Sequence, residues 1–353
     1  MKIAIFSKFD MAGGSEFRCI EFCNGISKYT PHQPFLLSEK EMPCNLYPHI
    51  NPKIKVVENA FLNPSIFYDL DCLIIVNTDS KEFSTTDYWR GKSYRHRSSI
   101  DLNKMKNKKF YFLYNFIVSP SRHLDKFLKY NIDINIITTN VKFYEEITKQ
   151  DRYENVRLFP RYIVESPINP DNLNIKIRQP SEKVCFGMHS KRAGGKWNDE
   201  IYKLIKEINI RYPDNIEFRF MGIKKELSSK LKKIKNVTCL REDEETVKDF
   251  LNKLDIFLFF PSWKREEPWA RVIAESMVSG CPVIALDKGG TKDQILQGNN
   301  GFLCKKYNDY LKSIIYLMEH KEIIPKMSKN SIKISKDFYT EKVIKKLINI
   351  IEK

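Results

Sequence analysis

Residues 261–303, PSWKREEPWARVIAESMVSGCPVIALDKGGTKDQILQGNNGFL, contain the pattern that decides the fold of this chain. A run of apolar and polar residues at helical spacing begins near Trp269, and Pro268 suits the first helical position because it has no N–H to donate. Gly280 suits the left-handed conformation that ends a helix. An apolar strand, PVIAL, and a glycine pair at 289–290 come next. The segment therefore predicts a helix, a strand and a second short helix in succession.

Two carboxylates, Glu267 and Glu275, lie eight positions apart in this segment. On one helix that spacing corresponds to about 12 Å along the axis, which is close to the span of a nucleotide sugar from its hexose to its ribose. The N-terminus of such a helix favours a diphosphate. The alternative is that Glu267 is an acid at the start of a helix and Glu275 a satisfied carboxylate of the core.

Strand-like runs alternate with helical runs in both halves of the chain, which predicts an α/β fold with parallel sheets. We expect an N-terminal domain at 1–165, a Pro- and Asn-rich linker at 166–182 and a C-terminal domain at 183–335. A last helix at 336–353 is expected to pack back on the N-terminal domain. Parallel sheets of this kind bind ligands at the carboxyl ends of their strands.

The composition narrows the class of protein. The 353 residues suffice for two domains, and no apolar run approaches the ~20 residues of a membrane span. Eight scattered cysteines without a C-x-x-C pair indicate reduced thiols and a cytoplasmic protein without a metal framework. The net charge of +16 is compatible with nucleic acid, an anionic membrane, an anionic substrate or a simple enrichment in lysine. Because no nucleic-acid-binding motif is present, nucleic acid is not expected as a partner.

In each half of the chain, a glycine-containing loop follows the first predicted strand. Gly13 and Gly14 precede a helical run, where glycine allows close approach of the backbone to phosphate or acceptor. The loop GMHSKRAGGKWND at 187–199 carries cations that suit a diphosphate. The alternative for Gly13 and Gly14 is a common glycine turn before a helix, and the alternative for the loop at 187–199 is a solvated basic loop.

The order E-x7-E, small-G-x-P-V-I-A and G-G-x-x-D resembles the signature of retaining family 4 glycosyltransferases (glycosyl transferases group 1). The resemblance implies the GT-B fold, in which two Rossmann-like domains face each other across a cleft. It also implies transfer of a sugar from a nucleotide-sugar donor with retention of configuration and without a metal ion. By resemblance, Glu267 contacts the donor sugar and Glu275 the ribose hydroxyls.

The resemblance also suggests the other donor contacts. Met188 stands where the family has an arginine, so Lys191 or Arg192 would supply that cation, with Lys196 as the second. Leu240 would lie near the base. The segment after Glu267, where the family commonly has glycines that approach the donor, reads Pro-Trp-Ala-Arg here, and its donor-binding residues would be Trp269, Ala270 and Arg271.

A basic tract with interleaved aromatic residues occupies 87–109 in the first half. It suits an anionic acceptor or an anionic bilayer, and a solvated loop is the alternative. The acceptor-side candidates in it are Trp89, Arg95, His96 and Arg97. The family usually has a His after a first-domain strand, and here that role is either absent or supplied by His96 or His123.

We therefore expect a glycosyltransferase that acts on a glycan or lipid-linked acceptor in cell-surface polysaccharide synthesis. Its expected location is the cytoplasm, with peripheral contact at the inner face of the membrane as a further expectation. The alternatives are an epimerase or phosphorylase on the same fold and a catalytically inactive protein that binds a sugar nucleotide or nucleic acid.

Overall fold

The computed structural model divides the chain into two compact units. Unit 1 comprises Met1–Ile168 and Thr340–Lys353, and unit 2 comprises Asn169–Tyr339. The residues that the structure describes are 1–9, 13–76, 100–114, 132–138, 141–149, 156–160, 164–179, 182–191, 195–242 and 244–353.

The strands of the described residues are β1 Lys2–Ser7, β2 Gln33–Ser38, β3 Lys55–Val57, β4 Cys72–Val76, β5 Lys109–Tyr114, β6 Ile134–Thr138, β7 Arg157–Leu158, β8 Val184–His189, β9 Ile216–Met221, β10 Val237–Leu240, β11 Ile256–Phe259, β12 Val283–Leu286 and β13 Gly301–Cys304.

The α-helices of the described residues are α1 Gly14–Tyr29, α2 Ser65–Tyr68, α3 Val141–Thr148, α4 Ile201–Arg211, α5 Lys225–Leu231, α6 Val247–Asn252, α7 Arg271–Val278, α8 Thr291–Gln294, α9 Tyr307–Glu319, α10 Ile324–Ser335 and α11 Thr340–Ile351. Short 3-10 helices lie at Cys44–His49, Ala60–Leu62, Leu102–Met105, Pro170–Asn172, Lys321–Ile323 and Lys336–Phe338.

Each unit is built on one parallel sheet. The 7-stranded sheet of unit 1 has the order β3-β2-β1-β4-β5-β6-β7, and the 6-stranded sheet of unit 2 has the order β10-β9-β8-β11-β12-β13. Two parallel α/β halves were predicted from the alternation of strand-like and helical runs, and the structure confirms them.

The sheet of unit 1 is covered on both faces, as expected for parallel strands. In β1, Ile3 and Ile5 face one apolar cluster, whereas Ala4 and Phe6 face the other. The first cluster includes side chains from α1 and α11. A Cβ built on Gly25 of α1 would lie 2.5 Å from Ile344 Cγ1 of α11, so glycine allows the close approach of these two helices.

The second half of the predicted linker packs on unit 2. The buried Arg178 donates from Nη1 to the carbonyl of Asn252 at 3.1 Å and from Nη2 to the carbonyl of Ser279. A Cβ on Gly280 would lie 2.0 Å from the carbonyl oxygen of Lys176. Residues 169–179 therefore belong to unit 2.

Candidate functional site

The candidate site lies where the strand order of unit 2 changes direction. β8 neighbours β9 on one side and β11 on the other, and the loops after β8 and β11 leave the same edge of the sheet. Parallel α/β sheets bind ligands in the crevice at such a point, because adjacent loops diverge there. Both loops carry residues of the predicted donor site.

Hydrogen bonds join these two loops. The backbone N–H of Asn198 donates to the carbonyl of Phe260 at 3.1 Å, and its Nδ2 donates to the carbonyl of Pro261 at 3.1 Å. The N–H of Ser262 donates to the carbonyl of Gly195 at 3.1 Å. The loop after β8 is therefore held directly against the loop after β11.

A third loop, after β12, holds the backbone of Glu267. The N–H of Gly290 donates to the Glu267 carbonyl at 2.7 Å, and Gly289 has a φ of +65°. A Cβ on Gly289 would lie 2.5 Å from the Glu267 oxygen, and a Cβ on Gly290 would lie 1.8 Å from the oxygen of Pro268. The glycine pair is required because the Glu267–Pro268 backbone lies directly on it.

Glu267 meets two cations in this arrangement. Its Oε1 accepts from Lys196 Nζ and also from Arg265 Nε at 2.8 Å, with Arg265 Nη2 at the same distance. The Glu267 side chain is 9% exposed, compared with 25% for Lys196 and 29% for Arg265. Two positive charges therefore converge on one buried carboxylate.

The predicted helix start is wrong. The helix α7 begins at Arg271 rather than Pro268, and Glu267 precedes it in an isolated bridge with Gly289. The bridge commits the Glu267 backbone to the β12 loop, so the helix starts after it. The spacing of about 12 Å along one helix therefore does not apply. The predicted left-handed cap is confirmed, since Gly280 has a φ of +87°.

Glu275 lies inside α7 between two basic side chains. Arg271, one turn earlier, donates from Nε to its Oε1 at 2.7 Å. His189 Nε2, at the end of β8, lies 3.8 Å from its Oε2. The Glu275 side chain is 13% exposed and therefore retains access to solvent.

His189 is a buried imidazole with an unusual environment. Its ring lies edge-on against Phe250 and Phe257, with centroids 5.8 Å and 5.6 Å away. Burial lowers the pKa of His189 below its ordinary value and Arg271 lowers it further, whereas Glu275 opposes the shift. Nε2 has no hydrogen-bond partner among the described residues. The imidazole is therefore held neutral beside the Glu275 carboxylate.

The sequence prediction did not include His189 or Arg265. His189 is the third residue of the GMHS segment, and its position at the end of a buried strand was the available signal. Arg265 stands two residues before Glu267, and nothing in the sequence distinguishes it from its charged neighbours.

The predicted diphosphate cations have different placements. Lys196 lies beside Glu267, whereas Lys191 follows β8 at half-buried depth and Arg192 lies outside the described residues. Met188 is fully buried in β8. The position where the family has an arginine is thus part of the apolar core here.

The residues after Glu267 mainly serve the structure of unit 2. Trp269 is 8% exposed and packs edge-on against Phe338 at 5.4 Å. Ala270 precedes α7, and its N–H donates to Oε1 of Gln294 at 3.2 Å. Arg271 is the partner of Glu275. Donor contacts by these residues remain predictions.

Leu240 ends β10 near the loop after β8. Its carbonyl accepts from the N–H of Gly222 at 3.0 Å, and the N–H of Ser190 donates to the carbonyl of Met221 at 3.1 Å. Gly222 has a φ of +78°, and a Cβ there would lie 1.9 Å from the oxygen of Ser190. The Leu240 region is thereby connected to the β8 loop, and a contact with the base remains a prediction.

In unit 1, Gly13 and Gly14 begin α1. Gly13 is extended, with a φ of −125°, and its carbonyl accepts from the N–H of Phe17 at 3.0 Å. Gly14 is exposed in the first turn. The acceptor-side candidates Trp89, Arg95, His96 and Arg97, and also His123, lie outside the described residues.

A pocket of about 400 Å³ lies next to this site, at the ends of β12 and β13. It is lined by aromatic and charged side chains that include Trp263, Tyr307, Glu200, Lys288 and Lys305. Neither Glu267 nor Glu275 lines it. Lys288 donates to the carbonyl of Trp263 at 2.9 Å, so the pocket borders the β11 loop.

Other site chemistries find little support in the described part of the chain. There, no cluster of His, Cys, Asp and Glu suits a metal ion, and no helix is both long and apolar enough to cross a bilayer. All eight cysteines are described and free, and Cys44 is the exposed one. Burial raises the pKa of Cys72 and Cys304 to about 12.

Comparison with known proteins finds a family match in unit 2. Residues 188–334 match the model of glycosyl transferases group 1. The matched region makes up under half of the chain and contains Lys196, Glu267 and Glu275. The two parallel α/β units have the GT-B architecture of solved glycosyltransferase structures.

Three similar proteins illustrate the relationship. Trehalose synthase of Thermococcus litoralis is 33% identical over 86 residues, which are 24% of this chain and 21% of that protein. Spore coat protein SA of Bacillus subtilis is 25% identical over 170 residues, with 43% of this chain and 44% of that protein covered. The solved structure of Anabaena HepE with UDP-glucose is 14% identical, with a TM-score of 0.71 and 100% and 99% of the two chains covered.

These matches differ in how much of each protein is aligned. The aligned residues span 21% of the length of the trehalose synthase and 44% of the length of the spore coat protein. The likeness to HepE covers both units and, at that identity, shows the fold.

Proposed function

We propose that this protein transfers a sugar from a nucleotide-sugar donor to a glycan or lipid-linked acceptor. The observation that carries the proposal is the convergence of Lys196, Glu267 and Glu275 on adjacent loops and a helix at the strand-order reversal of unit 2. This convergence lies within the region that matches glycosyl transferases group 1.

A nucleotide sugar fits the chemistry of these residues. A carboxylate such as Glu275 accepts hydrogen bonds from ribose hydroxyls, and Lys196 suits a phosphate. HepE, which shares the fold, was solved with UDP-glucose and with UDP.

In the proposed reaction, the bond between the anomeric carbon and the β-phosphate oxygen breaks while a bond to an acceptor oxygen forms. The acceptor hydroxyl transfers its proton to the departing β-phosphate oxygen, and the nucleoside diphosphate leaves with the electron pair of the broken bond. Cationic side chains such as Lys196 stabilise that charge by electrostatic preorganisation, without a metal ion. Glu267 orients the donor sugar, and the anomeric configuration is retained.

We further propose that the acceptor belongs to cell-surface polysaccharide synthesis and is reached from the cytoplasm at the inner face of the membrane. The basic tract at 87–109, with Arg95 and Arg97, suits an anionic or lipid-linked acceptor. An Arg95→Ala, Arg97→Ala double variant should hydrolyse donor normally but transfer poorly to such an acceptor. Normal transfer at every salt concentration would reject this part.

A second candidate is a catalytically inactive protein that binds a sugar nucleotide. It is favoured by Met188, which is buried where the family has an arginine. The two candidates differ in turnover, because a binding protein without activity neither hydrolyses the donor nor transfers its sugar.

The test has two stages. A thermal-shift screen with nucleoside diphosphates should raise the unfolding temperature for at least one base, because a ligand of the folded state stabilises it. Donor hydrolysis is then measured for the wild type, Glu267→Ala and the control Glu266→Ala, a neighbouring carboxylate near Lys288. We expect hydrolysis by wild type and control and a large loss in Glu267→Ala. Binding without hydrolysis would favour the second candidate, and the absence of any nucleotide effect would reject both.

A further inference from the structure

The site contains an arginine that the family resemblance does not assign. Arg265 lies in the loop after β11 and reaches Glu267 Oε1 through both Nε and Nη2 at 2.8 Å. Its Cδ would lie 3.7 Å from a Cβ built on Gly195, so Arg265 also packs against the backbone next to Lys196. Arg265 and Lys196 thus form a pair of cations that share one carboxylate oxygen.

The charge balance of this group suits an anionic ligand. Glu267 contributes one negative charge to two positive ones, so the group of three has a net charge of +1 when no ligand is bound. A nucleoside diphosphate has more negative charge and more acceptor oxygens than one carboxylate. A guanidinium binds such a group through two parallel hydrogen bonds, and an ammonium binds it as a point charge.

Because Glu267 and a diphosphate present the same kind of oxygen to the same cations, they cannot both use them fully. We propose that Arg265 and Lys196 bind the donor diphosphate and that they leave Glu267 when it binds. Glu267 is then released to face the donor sugar. This inference rests on the proposed function, since it assumes a nucleotide donor at this site.

The inference predicts opposite effects for two substitutions. Glu267→Gln removes the competing carboxylate, so the affinity for a nucleoside diphosphate should rise by about fivefold, as expected for a partly exposed ion pair. Arg265→Gln removes a ligand of the diphosphate, so the affinity should fall by about tenfold or more. The affinity for the corresponding nucleoside should change in neither variant.

The experiment is isothermal titration calorimetry with the full chain. The ligands are the nucleoside diphosphate that binds the wild type most tightly, its monophosphate and its nucleoside. Lys264→Gln, an exposed cation of the same loop, is the control for Arg265→Gln, and Glu266→Gln is the control for Glu267→Gln. Arg265→Lys should recover part of the lost affinity. In the double variant Arg265→Gln, Glu267→Gln, the gain from Glu267→Gln should be smaller, because Lys196 alone is then released from the carboxylate.

The outcomes separate the inference from the proposed function. If the wild type binds a nucleoside diphosphate but Glu267→Gln does not bind it more tightly than Glu266→Gln, the exchange of partners is rejected. If Arg265→Gln loses no more affinity than Lys264→Gln, the role of Arg265 is rejected. In both cases the nucleotide site itself stands. Failure of the wild type to bind any nucleoside diphosphate would reject the proposed function and the inference together.

Discussion

The carbonyl of Glu267 accepts a hydrogen bond from the N–H of Gly290 at 2.7 Å, across 23 positions of the chain. This contact holds the backbone of Glu267, which is in the loop after β11, against the loop after β12. Glu267 therefore lies outside the helix that contains Glu275. The orientation of Glu267 therefore depends on the backbone of a loop from another strand. Mutations of that loop should affect the site although they remove no charged group.

Gly290→Ala should destabilise unit 2 and weaken nucleotide binding. Its Cβ would lie 1.8 Å from the carbonyl oxygen of Pro268, so the backbone next to Glu267 must move. Overpacking of this kind costs about 1–3 kcal/mol. Urea unfolding measures the loss of stability, and calorimetry measures the affinity for a nucleoside diphosphate.

Gly298→Ala is the matched control for this change. Gly298 has a φ of +71°, but no atom lies within 4 Å of its built Cβ. It should lose stability through backbone strain alone and bind the nucleotide normally. If Gly290→Ala bound the nucleotide as well as this control, the support of Glu267 by the β12 loop would be unimportant for binding.

The elements of the site were predictable from the sequence, whereas their convergence was not. Strands such as PVIAL and the cap at Gly280 follow from local composition, and both are present. The contact of Lys196 with Glu267 joins residues 71 positions apart and depends on how three loops pack. Arg265 became recognisable only through such packing, whereas the position of His189 at the end of a buried strand was the one signal in its sequence context.

Glu275→Ala should weaken the binding of a nucleoside diphosphate by about tenfold to a hundredfold. Hydrogen bonds to a charged carboxylate are worth about 1.5–3 kcal/mol, and the proposed role places ribose hydroxyls on this side chain. The loss should be absent for the 2′,3′-dideoxy analogue, which lacks those hydroxyls. Calorimetry of both ligands with both proteins gives the comparison directly.

Glu341→Ala is the control for Glu275→Ala, because it also removes the acid of an i,i+4 ion pair but on the exposed face of α11. It should leave both affinities unchanged. Equal losses for the ribose and dideoxy ligands in Glu275→Ala would instead indicate that Glu275 acts on the structure of the site.

Transfer activity should survive chelation by EDTA. The proposed mechanism uses Lys196 and Arg265 in place of a divalent ion. Once these two cations have left Glu267 for the diphosphate, they can stabilise the negative charge of the leaving group. Initial rates before and after EDTA treatment, with the residual metal content measured, provide the test. Loss of activity that Mg²⁺ or Mn²⁺ restores would mean that a metal ion stabilises the leaving group.

The free energy of unfolding should fall as the pH falls from 7.5 to 5.5, in part because of His189. Burial lowers the pKa of His189 in the folded protein, whereas the unfolded chain has the ordinary value of about 6.5. Below that value the unfolded state binds a proton that the folded state does not bind, so protons favour unfolding. The stability contributed by the neutral imidazole is therefore present above pH 6.5 and is lost progressively below it.

His189→Phe should reduce this pH dependence, since phenylalanine takes up no proton in either the folded or the unfolded state. Phenylalanine suits the position because the imidazole already packs against Phe250 and Phe257. His320→Gln, which changes a more exposed histidine, should leave the dependence as in the wild type. Urea unfolding at several pH values measures all three proteins. An identical slope in His189→Phe and the wild type would show that His189 does not take part in the acid sensitivity of the fold.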